Sequence, residues 1–332
     1  MPASPTPTTL RDPQGRTLDY LRLAVTDRCN LRCRYCMPAD GLDLVGHHDV
    51  LGYEEMERLC ALLVGMGVRK IRITGGEPLV RRGVIGFMAR LGALPASPEI
   101  LLTTNGVLLR GRLDDLRRAG VRRVNLSLDS LDRTTYETIA RRDALPDVLP
   151  LLDEIPAAGL GLKVNVVVLP GVNEGELPDF VDLALERDLT VRFIEPMPFD
   201  GTGLLDGASI DGDRIFEILN SRVSLERVVG GGGVDEIYTA PGRPGRVGLI
   251  RGHSRTFCAD CSRLRIDPQG ALRMCLYGAP KVNLCEMIRG GAADDDLAAA
   301  IREAVAGRFD DGHAAARDRD DPDHQSMASI GG

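Results

Sequence analysis
Short apolar, β-branched runs alternate with amphipathic segments over the first two-thirds of the chain. Residues 21–26, 70–74, 100–104, 123–128, 162–169 and 191–195 have the composition of strands. Between them, residues 53–66, 112–119 and 177–187 repeat apolar positions at helical spacing. Six strand–helix units in succession predict parallel strands joined by right-handed crossovers. The strands read as apolar throughout, as expected where both faces of a sheet are covered. An open doubly wound sheet or a barrel accommodates this order. Six units fall two short of the eight-fold barrel, which makes an incomplete (β/α)6 TIM-like barrel the expected α/β fold.

Polar residues collect directly after these runs. Asp27-Arg28-Cys29 follows the first, Gly75-Gly76-Glu77-Pro78 the second and Asn105-Gly106 the third. Ser127 and Asp129 lie at the end of the fourth, Asn173 after the fifth, and Glu195-Pro196-Met197 at the end of the sixth. Parallel α/β folds bind ligands at the carboxyl ends of their strands, so the six loops are expected to build one site. The pattern changes after residue 220, where Gly230–Gly233 and a Pro/Gly-rich stretch at 241–245 interrupt it. Three regions are expected: a flexible lead-in at 1–18, a core at 19–220, and a small β-rich extension with its tail at 221–332. The stretch from Gly290, rich in Ala and Asp, is expected to be only partly ordered.

Composition narrows the functional classes. The chain has 332 residues, 43% of them hydrophobic, and a net charge of −7, so no overall basic field points to nucleic acid or a membrane surface. No apolar run is long enough to cross a bilayer, and the Pro-rich start does not have the form of a secretory signal. A cytoplasmic setting is expected, where cysteines serve as free thiols or metal ligands.

Six of the eight cysteines fall into two trios: Cys29, Cys33 and Cys36, spaced C-x3-C-x2-C, and Cys258, Cys261 and Cys275, spaced C-x2-C-x13-C. Three thiolates on a cube of four irons leave one iron open to a small molecule. Structural zinc prefers four ligands, and each trio supplies three. Cys60 sits on the apolar stripe of a helical pattern and reads as core. Cys285 could close the second cluster or begin a buried helix, and the core reading is preferred. The five histidines form no H-x-E or H-E-x-x-H pattern, which argues against zinc deaminase or protease chemistry. His253 stands near enough to Cys258 to be a candidate ligand.

Cys29-Asn-Leu-Arg-Cys33-Arg-Tyr-Cys36, with Gly75-Gly76-Glu77-Pro78 some forty residues on, resembles the signature of the radical S-adenosylmethionine superfamily. Cys258-Ala-Asp-Cys261-Ser-Arg263-Leu-Arg265, followed by Cys275 and a terminal Gly331-Gly332, is similar to the GTP 3′,8-cyclase family of molybdenum cofactor biosynthesis. The resemblance implies two 4Fe–4S clusters. The first, on Cys29, Cys33 and Cys36, would hold S-adenosylmethionine at its open iron, with Tyr35, Gly76, Glu77, Ser127 and Met197 in contact. The second, on Cys258, Cys261 and Cys275, would hold GTP, with Arg22, Arg72, Thr103, Lys163, Arg263, Leu264 and Arg265 around it. Arg22, Arg263, Arg265, Gly331 and Gly332 would be catalytic, the tail entering the site beside the arginines. A 5′-deoxyadenosyl radical would remove the ribose C3′ hydrogen of GTP, and C3′ would close onto guanine C8 to give (8S)-3′,8-cyclo-7,8-dihydroguanosine 5′-triphosphate. Implied partners are a downstream cyclic pyranopterin monophosphate synthase, a flavodoxin- or ferredoxin-type electron donor and a second copy of the chain.

Each residue also has a plainer reading. Arg22, Arg72 and Lys163 lie among apolar neighbours, where a charge needs an ion-pair partner or a wet cavity. Arg263 and Arg265 alternate with Leu264 and Ile266 and so share one strand face, which a solvated edge would also produce. Ser127 and Thr103 could be ordinary strand residues, Thr103 could exchange roles with Thr104, and Met197 could fill the core. Two other functions fit the cysteines: a radical enzyme acting on a peptide, and a cluster- or zinc-stabilised binding module.

Overall fold
The computed structural model describes residues 9–197, 210–229, 233–252, 254, 256–318 and 327–331. Its strands are β1 (Tyr20–Ala24), β2 (Lys70–Thr74), β3 (Glu99–Thr104), β4 (Val121–Ser127), β5 (Gly161–Val167) and β6 (Thr190–Ile194), then β7 (Glu226–Arg227), β8 (Glu236–Thr239), β9 (Arg246–Ile250), β10 (Arg263–Ile266), β11 (Ala271–Arg273) and β12 (Val282–Asn283). All twelve belong to one sheet, in the order β12-β11-β10-β1-β2-β3-β4-β5-β6-β9-β8-β7. The six strands expected from the apolar runs form its centre, parallel and in chain order.

The expected β-rich extension contributes to the same sheet. Its strand β10 pairs parallel with β1 and its strand β9 pairs parallel with β6, one at each edge of the six. Short antiparallel strands then cover these two additions. The expected boundary after residue 220 falls inside the helix Gly212–Arg222. The fold is an open, parallel-rich α/β sheet, and among the described residues the extension forms no separate sheet.

In β1 and β2 the apolar residues lie mainly on one face. Leu21, Leu23, Ile71 and Ile73 are fully buried beneath helices such as Tyr53–Gly65 and Val84–Gly92. Arg22, Arg72 and Thr74 take the alternate positions and face the concave side. The expectation of strands apolar throughout is therefore corrected: the inner wall is polar because it lines a cavity.

Two stretches expected to be loose are packed. Leu10 and Leu18 are buried, and a bridge joins Arg11 to Thr17, so residues 10–18 form a tight turn against the body of the protein. Past Gly290, the helix Asp294–Ala306 buries Leu297, Ile301 and Val305, an amphipathic spacing that the Ala- and Asp-rich composition concealed. Residues 1–8, His253 and Gly332 lie outside the described residues.

Candidate active site
Strand register assembles the cationic wall. Arg22 is the Cα partner of Arg265 on one side and Arg72 on the other, so three arginines stand in a row across β10, β1 and β2. Two residues back on the same face, Tyr20 pairs with Arg263. Thr103, Asn125 and Lys163 form a second row, and Ser127, Asn165 and Arg192 a third.

Apart from Lys163, these rows line a cavity of about 270 Å³ into which all six cysteines of the two trios also open. Of the residues assigned to S-adenosylmethionine, Tyr35, Gly76, Ser127 and Met197 line it; of those assigned to GTP, Arg22, Arg72, Thr103, Arg263 and Arg265 do. Three placements differ from expectation. The Glu77 carboxylate faces inward to the fold, accepting from the backbone N–H of Leu79 at 3.0 Å, the Thr104 hydroxyl at 2.8 Å and the backbone N–H of Asn105 at 2.8 Å. Burial pushes it up to about 7 despite those donors. Leu264 has its side chain wholly within the hydrophobic core, opposite the arginines. Lys163 shares the face of Thr103 and Asn125 but lies outside the cavity lining, its Nζ 3.7 Å from Asp235, and burial brings it down to about 8.

The first cysteine loop is strapped to the turn after β2. The backbone N–H groups of Gly76 and Glu77 donate to the carbonyls of Thr26 and Arg28 at 2.7 and 2.8 Å. A Cβ on Gly76 would lie 2.5 Å from the Arg28 carbonyl oxygen, so only glycine permits this approach. Asn105 donates to Asn30 at 2.8 Å and reaches the Cys29 sulfur at 3.7 Å. The Tyr35 hydroxyl donates to Asp129 at 2.8 Å, which fixes the aromatic ring between Cys33 and Cys36. Burial, with the Asp129 charge beside it, holds the Cys33 thiol well above its ordinary range.

The tail reaches the arginine row. The short helix Met327–Ile330 leads to Gly331, whose carbonyl accepts from Arg265 at 3.0 Å. Gly331 has φ +78°, and a Cβ there would lie 2.6 Å from that of Ala24.

The arginines and acids of the lining give it a positive balance. Seven arginines line the cavity (Arg16, Arg22, Arg72, Arg192, Arg263, Arg265 and Arg308) against three acids, Asp129, Glu195 and Asp311. The buried Nε of Arg22 and the Nε and Nη2 of Arg192 have no hydrogen-bond partner among the described residues. Burial and the neighbouring Arg265 and Arg263 push the Arg22 guanidinium well down. Guanidinium groups held this way are costly, and an anion with several oxygens would satisfy them. Sequence reasoning missed Arg192, although it interrupts an apolar strand as Arg22 does. It also missed Tyr20, Asn125, Asn165, Arg16 and Arg308; the last two lie in turns and carry no periodic signal.

The donor sets suit iron–sulfur clusters. Tetrahedral zinc needs its thiolates within about 4 Å of one another. Among the described residues, no three His, Cys, Asp or Glu side chains gather closely enough to hold a single metal ion. Cys60 and Cys285 are buried away from the cavity, in agreement with the core reading of both.

Two family profiles match in tandem: the Radical SAM superfamily over residues 23–184 and Molybdenum Cofactor Synthesis C over residues 189–314. The GTP 3′,8-cyclase of Geobacter sulfurreducens is 40% identical over 97% of this chain and 99% of its own length. That of Petrotoga mobilis is 42% identical over 82% of this chain and 85% of its own. The chain belongs to the GTP 3′,8-cyclase family. The fold of its radical S-adenosylmethionine superfamily is also seen in Streptococcus suis SuiB bound to S-adenosylmethionine, with a TM-score of 0.63 at 15% identity over 87% of this chain and 69% of that one. The family's two profiles meet just before β6, so the second includes β6 together with the strands at both ends of the sheet.

Proposed function
We propose that this protein is a GTP 3′,8-cyclase that binds S-adenosylmethionine and GTP in one cavity between its two cysteine trios. The carrying observation is the row Arg265–Arg22–Arg72 standing in the cavity that both trios share. Cys29, Cys33 and Cys36 would hold one 4Fe–4S cluster, and Cys258, Cys261 and Cys275 a second. When bound, the first cluster and S-adenosylmethionine would supply a 5′-deoxyadenosyl radical to remove the ribose C3′ hydrogen; closure of C3′ onto guanine C8 would then need one further electron and a proton to give the dihydro product.

The chain's own residues bind, orient and exclude water. The Gly76 backbone, Tyr35, Ser127 and Met197 form the S-adenosylmethionine side, while Glu77 contributes by fixing the loops beneath it. Arg22, Arg72, Arg263 and Arg265, joined by Arg192 and Thr103, grip the triphosphate through charge-assisted hydrogen bonds. Lys163 adds positive field from beside the cavity, and Leu264 acts as the core anchor that turns its two arginine neighbours inward. The Gly331 carbonyl orients Arg265, with Gly332 next to it in sequence. The family resemblance alone supports a cytoplasmic homodimer, reduction by a flavodoxin- or ferredoxin-type protein, and delivery of product to cyclic pyranopterin monophosphate synthase.

Anaerobic reconstitution is expected to load about eight irons per chain. Addition of GTP should then change the electron paramagnetic resonance spectrum of one cluster and leave the other as it was. An unchanged spectrum at saturating GTP, or cleavage of S-adenosylmethionine indifferent to GTP, would exclude this reading.

A further inference from the structure
We propose that Asp12, Arg16 and Arg308 form a clamp that sets the spacing of Cys258, Cys261 and Cys275, with Asp12 as its positioning residue. The inference rests on the reading of that trio as ligands of a second cluster.

The Asp12 side chain is fully buried. Its Oδ2 accepts from Arg16 Nε at 2.6 Å and from Arg308 Nη1 at 2.9 Å, while its Oδ1 accepts from the backbone N–H groups of Gln14 at 3.1 Å and Arg16 at 2.9 Å. One carboxylate thus fixes the planes of two guanidinium groups. Arg16 uses its remaining N–H groups on the Cys258 carbonyl at 2.9 Å, the Asp310 carbonyl at 2.8 Å, the Phe309 carbonyl at 2.7 Å and Gln14 Oε1 at 2.9 Å. Arg308 donates to the Cys261 carbonyl at 2.9 Å and to the Met274 carbonyl, one residue before Cys275, at 3.2 Å. Each cysteine of the trio is therefore held at its own backbone, or at the residue before it, by an arginine that Asp12 orients. A further contact comes from the segment that Arg16 grips, where the Gly312 N–H donates to the Cys258 sulfur at 3.2 Å.

The three parts come from distant places: a turn at the start, the cysteine loops after β9, and the region beyond the helix Asp294–Ala306. The antiparallel pair β10–β11 joins the loops that carry Cys258 and Cys275, and the two arginines tie the backbone of each loop to Asp12. Arginine forks impose geometry that a flexible ammonium does not, and a buried carboxylate shared by two of them leaves one net positive charge. That charge lies beside thiolate ligands, where it favours an anionic cluster.

A merely structural ion-pair network would affect melting and leave the iron in place. The test reconstitutes the full chain anaerobically as the parent, Asp12→Asn, Arg16→Lys, and a reference with all three second-trio cysteines changed to Ala. Iron, the electron paramagnetic resonance spectrum and the rate of iron loss to a ferrous chelator are measured for each. The parent should hold about eight irons. Asp12→Asn should hold about half as many and give the spectrum of the reference. Arg16→Lys should retain the second cluster but release it to chelator at least about tenfold faster, with the first cluster as stable as in the parent. If Asp12→Asn loses both clusters by failing to fold, the chelator rate of Arg16→Lys decides. Parent-like iron, spectrum and chelator rate in both variants, or a parent-like rate in Arg16→Lys when Asp12→Asn does not fold, overturn the clamp. A parent that binds only about four irons instead overturns the two-cluster reading beneath it.

Discussion

Tyr20 stands between two cations, with Arg72 Nε donating to its phenol oxygen and the Arg263 guanidinium 5.5 Å from its ring centre. Burial opposes ionisation of the phenol, but Arg72, Arg263 and Arg22 together outweigh it and bring the group down from 10.0 to about 8. Because the folded value is the lower one, phenolate formation stabilises the fold above pH 10, and that contribution is lost as pH falls through 8. The same ionisation neutralises part of the arginine wall, so GTP affinity should decline as pH rises through about 8. An ultraviolet titration should show one tyrosine ionising near that pH. The step should vanish in Tyr20→Phe and move upward when GTP engages the arginines. A titration identical in Tyr20→Phe would assign the step elsewhere. None of this was legible in the sequence, where Tyr20 is one aromatic before an apolar run. Arg22 and Arg72 were legible because a charge inside an apolar strand demands a reason. Arg16 and Arg308 were not, since besides the Asp12 carboxylate they share, both bind backbone carbonyls remote in sequence, such as those of Cys258 and Cys261.

Secondary elements were easier to read than their pairing. All six central strands were visible as β-branched runs, and the helices Tyr53–Gly65 and Leu177–Glu186 as periodic patterns. The alternation of Leu21, Leu23 with Arg22 was present too, yet short strands with few polar positions read as uniformly apolar. The edge positions of β9 and β10 had no local signal, because pairing across such separations is set by the whole sheet. At the other end of the chain, the tail depends on one residue. Alanine at Gly331 would meet both the left-handed φ, costing about 1–2 kcal/mol, and the methyl of Ala24. Gly331→Ala should keep both clusters and lose at least about tenfold in product formation as the carbonyl leaves Arg265. Full turnover in that variant would show that the tail's seat on Arg265 has no part in the reaction.

At the scale of the molecule, the sheet is built from both ends of the sequence. β1 lacks one parallel neighbour until β10 arrives, and β6 lacks one until β9 arrives. Residues 19–220 expressed alone would expose two long unpaired strand edges and the apolar faces they support. That fragment should aggregate, whereas the full chain remains monodisperse under the same conditions; sedimentation of the two samples distinguishes them. A soluble, cooperatively melting fragment would mean that the central strands form a self-sufficient domain after all. The motifs suggested three regions because motifs are local, while the division of a sheet into domains depends on which edges are covered.

The shared cavity has a practical corollary for handling the protein in air. If each trio carries a cluster as proposed, dioxygen that enters the cavity would meet both, because all six cysteines line the same space. Oxidative bleaching of the two centres should therefore proceed together, and a difference between their rates would count against a shared space.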